Sequence, residues 1–253
     1  MDDFSVEGCS SRAWILDDMP PANGQTVDPN IVIPSCHKEM VFQSPKGAVH
    51  SDEPAFCIGK TEEPQAEFMA FLSRTDPSAY LEVSRLLDQG PPVKGDRKPA
   101  VYVKWGEARG YCEFKYGKGA DLPTEMQWEN ACGSGTYCTA SGNLNPTEAI
   151  YDADGPADVG STLPNPQRVQ DMTGNVWEWV LGGVDDVYKR IRGGSWATYH
   201  GYDWYLLADY RHNLISDFRG SYVGFRCVAP AMSAVEGPPL PATTPSTDED
   251  SKK

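Results

Sequence analysis

Ten residues that could carry chemistry crowd into one short stretch: Tyr199, His200, Tyr202, Asp203, Trp204, Tyr205, Tyr210, His212, Phe218 and Tyr222. Their rings have polar edges, a combination that supplies contact area at low entropic cost, so the chemistry they suggest is recognition. No cysteine lies between Cys138 and Cys227, so the stretch has no thiol for nucleophilic or soft-metal work. Rigid punctuation brackets it, with Arg192-Gly193-Gly194-Ser195-Trp196 before and Gly224-Phe225-Arg226 after. Glycines let backbone approach backbone, and the matched arginines can hold carboxylates or carbonyls in a planar fork. Between the brackets neither strand alternation nor a helical period is sustained, which predicts a long structured loop on a fixed frame. Leu206, Leu207 and Ile215 are the core candidates inside it, and Arg192, Trp196, Phe225 and Arg226 should be buried or tightly paired.

The elements that must position this loop follow from the rest of the chain. Residues 1–28 read as a polar extension without periodicity. Short strands are expected in IVIPS, EMVFQ, AFCIGK and VYVKW. Helices are expected over 64–74, with Phe68, Phe71 and Leu72 on one face, over 79–87, and over 105–116, with Trp105, Ala108 and Cys112 on one stripe. A fourth opens at Leu122-Pro123-Thr124, where Thr124 and Gln127 have capping-box spacing. Residues 133–168, rich in Gly, Asn, Pro and Asp, read as a long loop that needs a tether. The segment 232–253 has the composition of a disordered tail. Seven cysteines with no Cys-x-x-Cys, an odd number in 253 residues, argue for buried thiols over a disulfide framework.

The formal net charge of −14 excludes the basic face that nucleic acid requires. No apolar run reaches the length of a membrane-spanning helix. The first residues, MDDFSVEGCSSRAWILDD, have neither the basic region nor the apolar core of a secretory signal. These readings leave localisation unknown, with display on a virion or cell surface as one possibility.

Several pieces occur together in one order: Phe56-Cys57-Ile58-Gly59-Lys60, Val103-Lys104-Trp105, Leu122-Pro123-Thr124-Glu125 with Trp128-Glu129, Asp171 to Trp179 (DMTGNVWEW), Arg192 to Trp196, and Gly224-Phe225-Arg226. In this combination the chain resembles the formylglycine-generating-enzyme (sulfatase-modifying factor) family over roughly residues 30–230. The resemblance implies an irregular α+β fold related to the C-type lectin fold, with two main helices on small antiparallel sheets and long loops. The domain would then span 29–231.

The resemblance does not fix one activity. The family's oxidases bind copper through two cysteines placed ahead of the Gly-Phe-Arg motif. Here those positions fall near Asp203 and Ala208, so no copper is expected. The sulfoxide-synthase branch needs a histidine cluster on an extra helical domain, and this chain has only His37, His50, His200 and His212. The variable proteins of diversity-generating retroelements resemble this family and carry the same brackets. In them the intervening segment, here about 190–227, is rewritten at template adenines. Asn codons mutated at their first two bases cannot yield Lys, Glu, Gln, Met or Trp. The span from Ala197 to Val223 has no Lys, Glu, Gln or Met, and its one Trp, Trp204, should therefore be part of the frame.

On this reading the protein is a noncatalytic binding or display protein, and its target is a protein or glycan on another cell or particle. The alternative is a sulfatase-modifying-factor-like enzyme or a structural relative lacking the thiol pair. The expected contact residues are Tyr199, His200, Tyr202, Asp203, Tyr205, Asp209, Tyr210, His212, Asn213, Leu214, Phe218, Ser221 and Tyr222. The resemblance also implies a structural calcium, held by the Asp171 and Glu178 carboxylates and the Gly174 and Val176 carbonyls.

Overall fold

A computed structural model describes residues 36–44, 49–50, 52–91 and 93–231. The expected N-terminal extension, the IVIPS strand and the C-terminal tail lie outside the described residues.

Among the described residues, two small sheets and four helices form the domain. The first sheet is antiparallel, in the order β1 (Met40–Gln43), β2 (Phe56–Gly59), β7 (Val228–Pro230). The second has the order β5 (His212–Ile215), β4 (Tyr188–Arg192), β3 (Trp177–Gly183), β6 (Val223–Gly224), and its β3–β6 pair is parallel. The helices are α1 (Gln65–Thr75), α2 (Pro77–Gln89), α3 (Trp105–Tyr116) and α4 (Glu125–Cys132).

Local chemistry explains where the helices begin and what they bury. Phe68, Phe71 and Leu72 form the buried stripe of α1. Asp76 caps α2 by accepting from the Ser78 and Ala79 amides, and Pro77 at the first position suits a turn whose N–H has no partner. The capping box on α4 is present: Thr124 Oγ1 accepts from the Gln127 amide (3.1 Å) and Gln127 Oε1 from the Thr124 amide (3.0 Å). Phe68, Tyr111 and Phe225 meet at ring separations of 5.3 to 5.9 Å, so the closing Gly-Phe-Arg motif is anchored in the helical core.

Three expectations are corrected here. VYVKW is not a strand. Tyr102 has φ +58°, its N–H donates to Gly220 O and the Val101 N–H to Gln65 Oε1, so the buried valines serve packing instead of a ladder. The cysteines among the described residues are not free thiols: Cys36–Cys57, Cys112–Cys227 and Cys132–Cys138 are disulfides. Two of the pairings join segments far apart in sequence and the third spans a short irregular stretch, so linear spacing did not reveal them. Finally, the bracketed stretch is not loop throughout. It contains a 3-10 turn, Asp203–Leu206, and the strand β5, whose residues take their conformation from pairing with β4.

The long loop of 133–168 does have tethers. The Cys132–Cys138 bond closes its start, and Asn165 Nδ2 donates to the Ala131 and Cys132 carbonyls. Lys98 Nζ donates to Pro156 O, and the Ala153 amide donates to Trp196 O.

Candidate ligand-binding cleft

The bracket residues build a frame first. Arg192 is fully buried, with Nη2 donating to Glu129 Oε1 (2.8 Å) and to Ala208 O (2.6 Å), and its guanidinium lies 5.0 Å from the centre of the Trp128 ring. Arg226 is also fully buried and forks onto Glu178, Nε to Oε2 at 2.8 Å and Nη2 to Oε1 at 2.7 Å. Gly194 has φ +76°, and a Cβ there would sit 2.4 Å from Leu206 Cδ2, so the turn after Arg192 needs glycine. Trp196 is half-buried and tied by its indole N–H to Ser221 O. The loop is pinned at two further points. Arg211 pairs with Glu125 and Glu129 of α4, and Arg219 pairs with Glu107 of α3 and donates to Tyr102 O.

Glu125 and Glu129 thus gather Arg190, Arg192 and Arg211, with His50 also on Glu129. Burial alone would raise the Glu129 carboxyl, but the His50 hydrogen bond and the charges of Arg192 and Arg211 outweigh it and hold it below its ordinary value.

On this frame sits an open cleft of about 440 Å³. Tyr199, Tyr202, Tyr205, His212, Leu214 and Tyr222 line it, together with Trp177, Ile191, Ser195, Ala197 and Thr198. Trp177 forms part of the base: its ring centre lies 6.2 Å from Tyr205, 6.1 Å from Tyr210 and 6.2 Å from His212. The Tyr202 and Tyr205 rings are nearly parallel, 13° apart with centres at 6.2 Å. Burial pushes the Tyr222 and Tyr210 phenols above their ordinary value, so both stay neutral hydrogen-bonding groups at physiological pH.

The expected contact residues therefore divide. Six line the cleft, as above. His200, Asp209 and Asn213 are exposed without lining it, and Asp203, on the 3-10 turn, is half-buried. Tyr210 packs edge-on against Tyr205 at 5.0 Å, Phe218 packs on Tyr222 at 5.9 Å, and the carbonyl of Ser221 is taken by Trp196. Two frame expectations need correction. Ile215 is exposed, because the strand β5 turns it away from the sheet's packed face, and Trp204 is 46% exposed, its ring tilted against those of Tyr202 and Tyr205. Leu206 is fully buried, and Leu207 is half-buried. Sequence reasoning missed Trp177, Ile191, Ser195, Ala197 and Thr198. A signal existed for Trp177 and Ser195, since both belong to motifs read as frame.

Asp171, Gly174, Val176 and Glu178 do not fit the calcium that the resemblance implies. Glu178 is occupied by Arg226 and by the Trp128 indole N–H at 2.7 Å. Both Asp171 oxygens accept from Thr162 and Gly160. An ion would have to displace a buried guanidinium and leave that charge without its partner.

Small sheets, short helices and a loop-built cleft above a salt-bridged frame define the C-type-lectin-like class to which formylglycine-generating enzymes belong. The sulfatase-modifying factor enzyme 1-like domain matches residues 17–231, and the chain belongs to that family. Among curated relatives, the formylglycine-generating enzyme of Mus musculus is 26% identical over 166 residues, covering 52% of this chain and 44% of the enzyme. The inactive C-alpha-formylglycine-generating enzyme 2 of Bos taurus is 28% identical over 185 residues, covering 60% and 59%. Serine/threonine-protein kinase pkn1 of Chlamydia pneumoniae is 29% identical over 153 residues, 52% of this chain but 24% of the kinase. The chain thus spans less than two thirds of the length of these relatives. Among solved structures, Treponema denticola variable protein 1 aligns with TM-score 0.55 at 19% identity, covering 79% of this chain and 92% of its own. PvdO from Pseudomonas aeruginosa aligns with TM-score 0.56 at 21% identity, covering 81% and 100%. These likenesses establish the fold.

Proposed function

We propose that this protein is a noncatalytic ligand-binding protein whose segment 190–227 is diversified by a retroelement. The observation that carries the reading is the division of labour within the bracketed stretch. Arg192, Phe225 and Arg226 are fully buried, while Tyr199 and Tyr202 stand at least half exposed at the cleft. Such an arrangement lets contact side chains be exchanged at little cost to the fold. A variable protein is among the solved structures of this fold, which supports the same reading.

The enzyme reading is disfavoured for thiol oxidation in particular. The positions of the oxidases' cysteines fall near Asp203 and Ala208, and every cysteine among the described residues is in a disulfide. The target is a protein or glycan on another cell or particle.

The genomic neighbourhood tests diversification. Beside this gene there should be a near-copy of the segment encoding residues 190–227, differing only where the copy has adenine, with a reverse-transcriptase gene next to it. Absence of the copy, or differences spread over all four bases, removes the diversification. Conversion of a sulfatase-type cysteine peptide by the purified protein with copper would instead establish the oxidase.

A further inference from the structure

Among the described residues, the cleft combines abundant π faces with no lysine or arginine in its lining. Its lining includes the rings of Trp177, Tyr199, Tyr202, Tyr205 and Tyr222, and no lysine, arginine, carboxylate or amide side chain. Aromatic faces carry the negative end of the ring quadrupole and attract a cation placed within about 6 Å of the ring centre. The near-parallel Tyr202 and Tyr205 rings and the Trp177 ring, set at 77° to Tyr205, all belong to the lining of this one cleft.

The charged side chains beside the frame are turned to other partners. Arginines 190, 192 and 211, three cations on two carboxylates, pair with Glu125 and Glu129, and none of these five residues lines the cleft. Asp203, between Tyr202 and Tyr205 in the chain, keeps a buried carboxylate oxygen, Oδ1, with no hydrogen-bond partner among the described residues. Asp209 is exposed on the same loop. The net charge of −14 favours the approach of cations to the molecule in general.

A sugar suits the cleft less well. Its hydroxyls are commonly oriented by the precisely placed polar groups of a binding site, and here the hydrophilic lining is limited to the Ser195 and Thr198 hydroxyls, the phenols and the His212 imidazole. We propose that the cleft receives a cationic side chain, an alkylammonium or guanidinium, presented by a basic surface of a protein partner and held over the faces of Tyr202, Tyr205 and Trp177. This rests on reading the cleft as the ligand site, and it describes the side chains that this chain carries.

Saturation-transfer NMR on the full chain tests it with three probes: choline, its neutral isostere 3,3-dimethylbutan-1-ol, and a soluble oligosaccharide. Choline should bind roughly tenfold more tightly than the isostere, and the oligosaccharide should not compete with it. Tyr202→Leu and Tyr199→Leu, both at exposed positions, should weaken choline several-fold while leaving the melting curve in place. Equal or tighter binding of the isostere overturns the cationic assignment. If Tyr202→Leu then abolishes that binding, the cleft remains a ligand site of other chemistry. Preferential binding of the oligosaccharide also overturns the assignment, in favour of a glycan. If no probe binds, the cationic assignment fails, and the ligand-binding reading is decided separately by the neighbouring gene copy.

Discussion

Arg192 and Arg226 are buried guanidiniums with different company. Arg226 and Glu178 form a closed pair, whereas Arg192 shares Glu125 and Glu129 with Arg190 and Arg211. Breaking a buried pair leaves an uncompensated charge, at a cost of about 3–5 kcal/mol. The shared cluster has a pH signature instead. The Glu129 carboxyl lies below its ordinary value of 4.5 in the folded protein, so folding binds fewer protons there than unfolding does. Its contribution to stability is fully present above pH 4.5 and is lost as pH falls through the lower, folded value. Glu129→Gln should therefore lower the melting temperature at pH 6, and the gap to the parent should narrow as the pH approaches 3. A gap that stays constant across thermal melts from pH 6 to pH 3 would refute this role.

At the scale of elements, α3 and the residue just before β7 are joined by a bond that no local pattern announced. Cys112 and Cys227 are 115 residues apart in sequence, so their disulfide constrains the unfolded chain strongly, by about 5 kcal/mol on loop-entropy arithmetic. Replacing both with alanine should lower stability by an amount of that order in thermal or denaturant unfolding. Replacing Cys132 and Cys138, only 6 apart, should cost about half as much by the same arithmetic, because the dependence on loop length is logarithmic. The contrast shows which features were legible in the sequence. The helices were, because apolar spacing and the Thr124–Gln127 box are encoded within a few residues. VYVKW misled because β-branched alternation says nothing of Tyr102's positive φ, which its bond to Gly220 imposes across the fold. The strand β5 was hidden because His212-Asn213-Leu214-Ile215 becomes a strand only through its register with Tyr188 to Ile191. The rim of the cleft was legible from its ring content between two rigid motifs. Its base was not, because Trp177 sits in a motif whose neighbours Glu178 and Trp179 are buried in the frame.

For the molecule as a whole, the frame and the contact surface should respond to substitution as separate populations. Arg211 and Arg219 pin the loop to α4 and α3, while Gly194 and Leu206 interlock beneath it, so the backbone path does not depend on the cleft side chains. Tyr199 and Tyr202 are 67% and 50% exposed, and His200, Asn213 and Asp209 are also exposed. Substitutions at such positions usually change stability by no more than about 0.5 kcal/mol. In a protein of this size that corresponds to a shift in melting temperature of roughly 1–2 °C. Phe225, fully buried between Phe68 and Tyr111, belongs to the other population. Its truncation to alanine should cost about 3–5 kcal/mol. A pooled library randomised at residues 199, 200, 202, 209 and 213 should therefore melt as one narrow population near the parent. Phe225→Ala and Arg192→Met should fall well below it. A broad spread of melting temperatures across the library would mean that these side chains hold the loop in place, and would remove the physical basis for exchanging them freely.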